Sequence, residues 1–96
     1  MRVIVTGGSG KAGRHVVQSL VDGGHEVINV DRTRLAGLPA ETIVIDLEDT
    51  GAVYDVFGQF KPEGVCHLAA NPSPGGFGRA DTFRGNTMIT YNVMQA

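Results

Sequence analysis

A single cysteine, Cys66, occurs in the 96 residues, so no disulfide framework is available; its place in an apolar run predicts a buried thiol in a reducing, cytoplasmic setting. No stretch approaches the ~20 consecutive apolar residues of a membrane-spanning helix. The apolar run after Met1 is too short for a signal peptide before it meets glycine. Neither sign of charge dominates: eight Lys and Arg stand against ten Asp and Glu, for a net charge of −2. The basic residues form no stripe, which argues against nucleic acid as a partner. His15 and His25 lack neighbouring Cys, Asp or Glu at ligand spacing, so no metal site is expected.

What is present is ordinary globular composition, 42% hydrophobic and 19% charged, in a length that allows one domain at most. So short a chain buries a smaller fraction of its surface than a larger domain does, and marginal stability is expected. The fourteen glycines are the odd feature, because those at 7, 8, 10 and 13 fall in one early loop. Val3-Ile4-Val5 predicts a strand buried on both faces, ended by Gly7-Gly8. Ala12, Val16, Val17, Leu20 and Val21 recur at helical spacing, and Gly23-Gly24 follows where a helix end favours a left-handed residue. Val27–Val30 predicts a second strand stopping at Asp31, and Thr42–Ile45 a third stopping at Asp46. The polar link between them contains Gly37 and Pro39 and has room for one short helical turn. Ala52, Val53, Val56, Phe57 and Phe60 mark a second helix, with Val56, Phe57 and Phe60 facing a sheet, closed by Lys61-Pro62. Val65–Ala69 predicts a fourth strand, Asn71–Gly76 a loop, and Asp81 the cap of a last helix running toward Ala96. Strands alternating with helices imply an α/β fold with a parallel sheet and right-handed crossovers.

Gly7, Gly10 and Gly13 make a Gly-x-x-Gly-x-x-Gly pattern between a strand and an amphipathic helix, the context that gives such a motif meaning. Gly7 allows the sharp turn, Gly10 the approach of a pyrophosphate, and Gly13 close packing of helix on sheet. The amides of Lys11 and Ala12 would face the phosphates from the positive end of the helix dipole. A Walker phosphate loop fails on two counts: Val5 stands where its first glycine belongs, and Ala12 where its hydroxyl belongs. Asp31, about twenty residues beyond the glycines, is placed to accept the ribose hydroxyls of adenosine, which favours NAD over NADP. Arg32 and Arg34 pull the other way, since a guanidinium can pair with a 2′-phosphate. The alternative for Asp31 is a plain turn aspartate. The pattern is that of a Rossmann-type parallel sheet with flanking helices, about four strands forming the first, mononucleotide-binding half.

These residues resemble the extended short-chain dehydrogenase/reductase family, the NAD-dependent epimerases and dehydratases of nucleotide sugars. The likeness rests on Arg2–Gly10, Gly13, Gly24–Val27 leading to Asp31, Asp46-Leu47, His67–Ala70, Asn86 and Asn92-Val93, and so covers the whole chain. It implies that Asp46 and Leu47 line an adenine pocket. Leu68, Ala69 and Ala70 would pass along the nicotinamide ribose, with Asn86 near that end. Without the family, Asp46 reads as the cap of a turn and His67 as a packed core histidine.

That family's chemistry uses a tyrosine with a lysine four residues later, the tyrosine acting as general acid and base. The lysines are Lys11 and Lys61, preceded at that spacing by Gly7 and Phe57, so no catalytic residue is assigned; Tyr54 and Tyr91 are expected to be packing or surface residues. The expectation is therefore an NAD-binding part, residues 1–96, of a longer oxidoreductase or isomerase, inactive alone. Its nucleotide sugar would be held by residues not present, and the full-length protein could be a homodimer. A non-catalytic dinucleotide sensor and a methyltransferase stand as alternatives.

Overall fold

The structure is a computed structural model and describes residues 1–69. The element order is β1 (Arg2–Thr6), α1 (Lys11–Asp22), β2 (Glu26–Asp31), β3 (Glu41–Val44), α2 (Thr50–Phe60) and β4 (Gly64–His67). The four strands form one parallel sheet in the order β3-β2-β1-β4. The loop expected at Asn71–Gly76, the helix from Asp81, and Ala70, Asn86 and Tyr91 lie outside the described residues.

Strand alternation sends successive side chains to opposite faces, and each face has its own core. Ile4, Ile28, Val30 and Leu47 pack with Val53, Val56 and Phe57 of α2. Val3, Val5 and Val27 pack with Val17 of α1 on the other face. β1 and β2 are buried on both sides, which is why each reads as a nearly unbroken apolar run. The connection from β2 to β3 contains no helical turn. It crosses the α1 face as irregular chain, with Leu38 and Ala40 packed against that cluster.

Helix ends follow from local chemistry. α1 closes in a Schellman motif: His25 N–H donates to the Leu20 carbonyl at 3.1 Å and Gly24 N–H to that of Val21 at 3.0 Å, with Gly24 at φ +87°. α2 starts on Asp49, whose carboxylate accepts from Ala52 N–H at 3.2 Å. It stops at Lys61, left-handed at φ 47°, because Pro62 cannot continue it. Arg2 donates from its guanidinium to the Phe60 carbonyl at 2.7 Å, placing a cation at that helix's negative end.

Three expectations shift. β3 runs Glu41–Val44 rather than Thr42–Ile45, because its register on β2 ends with Asp31 opposite Val44. β4 ends at His67 rather than Ala69, since β1 ends at Thr6 and offers no further ladder. Cys66 is half-buried rather than buried, because β4 stands at the edge of the four-stranded order.

Candidate functional site

Parallel strands share one direction, so β1, β2 and β4 all end on the same side of the sheet. The chain leaves β1 for β2 on one side and places β4 on the other. The crevice between β1 and β4 is therefore a topological switch point, where open α/β sheets take their ligands. The glycine loop sits at this rim. Gly7 turns at φ +78°, with its N–H donating to the Val30 carbonyl at 3.0 Å and its carbonyl accepting from Gly10 N–H at 3.2 Å. A Cβ on Gly7 would stand 2.8 Å from the Ala69 backbone, and one on Gly13 would strike the Gly7 carbonyl and lie 2.7 Å from Gly8 Cα. Fold geometry alone therefore demands glycine at both positions.

Gly10 differs. Its backbone is extended, at φ −78° and ψ 176°, and among the described residues a Cβ there would meet only the Gly7 carbonyl at an ordinary 3.5 Å. Among the described residues, nothing stands close enough to Gly10 to require glycine there. Gly10 is also the N-cap of α1 and supplies no side-chain cap, which leaves the first-turn amides without a capping acceptor. Lys11, Ala12 and Arg14 are exposed around that opening, and Arg14 Nε reaches the Gly10 carbonyl at 3.3 Å. Two cations and a helix N-terminus make the rim electropositive.

Asp31, at the end of β2, is half-buried. Its Oδ2 accepts from Ser9 N–H at 3.0 Å and its Oδ1 from Arg32 N–H at 2.7 Å, so the carboxylate is oriented on both sides. Arg32 and Arg34 are both exposed, and Arg34 donates to the Thr42 carbonyl at 3.1 Å. Asp46 Oδ1 accepts from Glu48 N–H at 2.9 Å and so shapes its own turn, as the plain reading of an aspartate after a strand expects. The Leu47 side chain is 1% exposed in the α2 core, so whatever it offers a ligand is backbone. Leu68 is exposed beside the crevice, and Ala69 packs against the α2-face core.

Two further residues order this rim. Thr6 is fully buried, and its Oγ1 accepts from Leu68 N–H at 3.1 Å and Ala69 N–H at 3.2 Å while lying 2.6 Å from His67 Nδ1. A hydroxyl carries one proton, so with two amides aimed at its oxygen that proton is donated to His67. Nδ1 is then the acceptor and the neutral imidazole carries its proton on Nε2. Burial agrees in direction, holding the His67 pKa below its ordinary value. Asn29, fully buried in β2, binds Gly8, Ser9 and Thr42. Sequence reasoning passed over Thr6, Asn29 and Arg14. The available signal was Asn29 itself, a polar residue interrupting a buried parallel strand. A cavity of about 450 Å³ lined by residues between Arg34 and Thr42 shares no residue with the 7–13 loop.

A profile of the NAD dependent epimerase/dehydratase family matches residues 3–96. The chain belongs to that family. This epimerase/dehydratase chain is 32% identical, over 99% of its length, to a dTDP-glucose 4,6-dehydratase of Neisseria meningitidis serogroup B, covering 31% of that protein. It is 34% identical over 99% of its length to an L-arabinose 1-dehydrogenase (NAD(P)(+)) of Haloferax volcanii, covering 35% of that protein. Among solved structures it is similar to a UDP-glucose 4-epimerase of Thermus thermophilus in complex with NAD: TM-score 0.83, 32% identity, 99% of this chain and 33% of that one. The chain thus spans about a third of the length of these relatives. Among the described residues, no helix is long and apolar enough to cross a membrane and no group of His, Cys, Asp and Glu is arranged to hold a metal ion.

Proposed function

We propose that this epimerase/dehydratase chain binds NAD at the β1–α1 junction and forms the cofactor-binding part of a cytoplasmic enzyme acting on a nucleotide sugar. The observation that carries the reading is Gly10, where the described residues leave room for a side chain, set at an uncapped helix N-terminus. The Lys11 and Ala12 amides are suited to a diphosphate, with Gly7 and Gly13 holding the turn around it. Asp31 is suited to the ribose hydroxyls of the adenosine half, with Arg32 beside it. Asp46 and the Leu47 backbone would lie toward the adenine. Leu68, Ala69 and Ala70 would lie toward the nicotinamide ribose, with Asn86 near that end.

NAD, when bound, supplies the hydride acceptor and donor for transient oxidation of a sugar carbon. This chain's residues bind and orient it, while the substrate pocket and the acid–base pair belong to the remainder of the whole protein, with assembly as a homodimer. Likeness to the dehydratase and to the epimerase solved with NAD supports the nucleotide-sugar assignment. The Asp31 carboxylate, oriented by two amides, favours NAD over NADP because it would repel a 2′-phosphate. A second reading, a dehydrogenase of a free sugar using either cofactor, is supported by likeness to the Haloferax enzyme and by the exposed Arg32.

Calorimetric titration of the chain with NAD and NADP tests the site. Binding of NAD in preference to NADP, lost in Gly10→Val because the new side chain fills the phosphate approach, is the expected result. Gly10→Val binding NAD as the parent does would overturn the placement at this junction.

A further inference from the structure

A strand buried on both faces packs best as an unbroken apolar run, yet β2 carries Asn29 at its centre with no solvent exposure. Its carboxamide is engaged at both ends. Oδ1 accepts from Gly8 N–H at 2.8 Å, and Nδ2 donates to Ser9 Oγ at 3.1 Å and Thr42 Oγ1 at 3.2 Å. Thr42 is buried too and stands opposite Asn29 in the β2–β3 register. Ser9 extends the network, its Oγ donating to the Thr33 carbonyl at 2.9 Å. The tip of the glycine turn is therefore tied, bond by bond, through β2 to β3.

The fit is close as well as bonded. A Cβ on Gly8 would overlap the Asn29 carboxamide and lie 2.8 Å from Val17 Cγ2, so the turn rests directly on Asn29 and α1. Leucine or valine at 29 would continue the apolar run but leave these polar groups unmatched. Only a side chain that both accepts and donates can hold Gly8 and Ser9 at once. Asp31, by contrast, is fixed by its own place on β2 and by Arg32 N–H as well as by Ser9.

We infer that Asn29 is a positioning residue for the diphosphate. It touches no ligand. It fixes the Gly8-Ser9 tip so that the amides at the start of α1 already point where the phosphates arrive, and the order of the anion site is set before binding. The inference rests on the dinucleotide reading above and adds a residue, with Thr42 as its anchor, that acts on the diphosphate rather than on adenosine.

Affinities of the chain for ADP and for adenosine, measured by NMR titration beside the melting temperature, separate the possibilities. Asn29→Leu, similar in shape but unable to bond, is expected to weaken ADP about tenfold or more. Adenosine should weaken by less than about threefold, since Asp31 remains in place. Thr42→Val leaves the Asn29 bonds to Gly8 and Ser9 and removes the anchor; it should weaken ADP about threefold with adenosine unchanged. A purely structural role lowers the melting temperature and moves both affinities together. That equal movement, or no movement of ADP in either variant, overturns the inference. If Asn29→Leu does not fold, the Thr42→Val ratio of ADP to adenosine decides. A parent chain that binds neither ligand sinks the dinucleotide reading itself, whereas a parent that binds both with an unchanged ratio in the variants sinks only the role of Asn29.

Discussion

Replacing Thr6 by valine keeps the shape of a fully buried side chain and removes only its hydroxyl. Three groups meet that oxygen: the amides of Leu68 and Ala69 and the Nδ1 of His67. Leu68 N–H retains a second acceptor in the Thr6 carbonyl at 3.0 Å. Ala69 N–H and His67 Nδ1 lose the Thr6 hydroxyl. Each hydrogen bond lost with the hydroxyl costs about 1 kcal/mol, since Ala69 and His67 are only half-buried. The buried methyl that replaces the hydroxyl offsets up to about 0.8 kcal/mol. The net loss is about 1–2 kcal/mol, or about 4–16 °C in melting temperature for a chain of this size. Calorimetry at pH 7.5 reads that loss. The same variant carries a second signature, because the hydroxyl donates to Nδ1 and so favours the neutral imidazole. Without it, NMR titration of His67 should move upward from the parent's by the share of that hydrogen bond alone, because the burial that depresses its pKa remains. Thr6→Ser keeps the hydroxyl and should leave the His67 titration unchanged while losing stability through the missing methyl. A Thr6→Val chain as stable as the parent, with His67 titrating as before, would refute the account of Thr6 as the hub of this rim.

The His67 pKa is lowered by burial, so near pH 6.5 the unfolded chain takes up a proton that the folded chain refuses. This contribution to stability is present above about pH 6.5 and is lost as pH falls toward the lower folded value. Melting temperatures between pH 7.5 and 5.5 should fall, and fall less in His67→Gln; parallel slopes would count against it. In Gly13→Ala the helix-propensity gain is about 1 kcal/mol, but the new methyl meets the Gly7 carbonyl and the Gly8 backbone, which cannot swing aside. Overpacking of about 1–3 kcal/mol or more should win, so a melting temperature equal to or above the parent's would contradict the packing argument. Asp31→Ala should narrow the preference for NAD over NADP measured by calorimetry, because the repelling carboxylate is gone; an unchanged ratio would show that Asp31 does not read the ribose.

Most of the layer architecture was legible in the chain because two periodicities are strong and well separated. Val3-Ile4-Val5 is apolar without alternation and Val27–Val30 is so except at Asn29, the mark of strands covered on both sides. Val53, Val56 and Phe57 recur on one face of a helix, and all three are buried against the sheet. Helix ends were legible wherever a residue's own backbone decides them, as at Gly24 and Lys61-Pro62. Strand ends were less so. β3 slid by one residue, and β4 lost two at its end while gaining Gly64 at its start, because a strand stops where its neighbour stops, and that is a property of pairing rather than of either segment. The α1 face was overread in the same way: of its five apolar positions only Val17 is fully buried, and Ala12 is exposed at the rim.

The sequence by itself determined the glycine loop, the helix that follows it and the acidic residue at the end of β2, since each depends on residues close together in the chain. Only the tertiary structure decided what holds that loop in shape. Thr6 meets His67 across 61 positions, and Asn29 meets Gly8 across 21 and Thr42 across 13. A hydroxyl or carboxamide in a strand carries no local sign of its partner. Its meaning appears once parallel pairing brings the ends of β1, β2, β3 and β4 to one rim, where each buried polar group must find a mate or destabilise the fold.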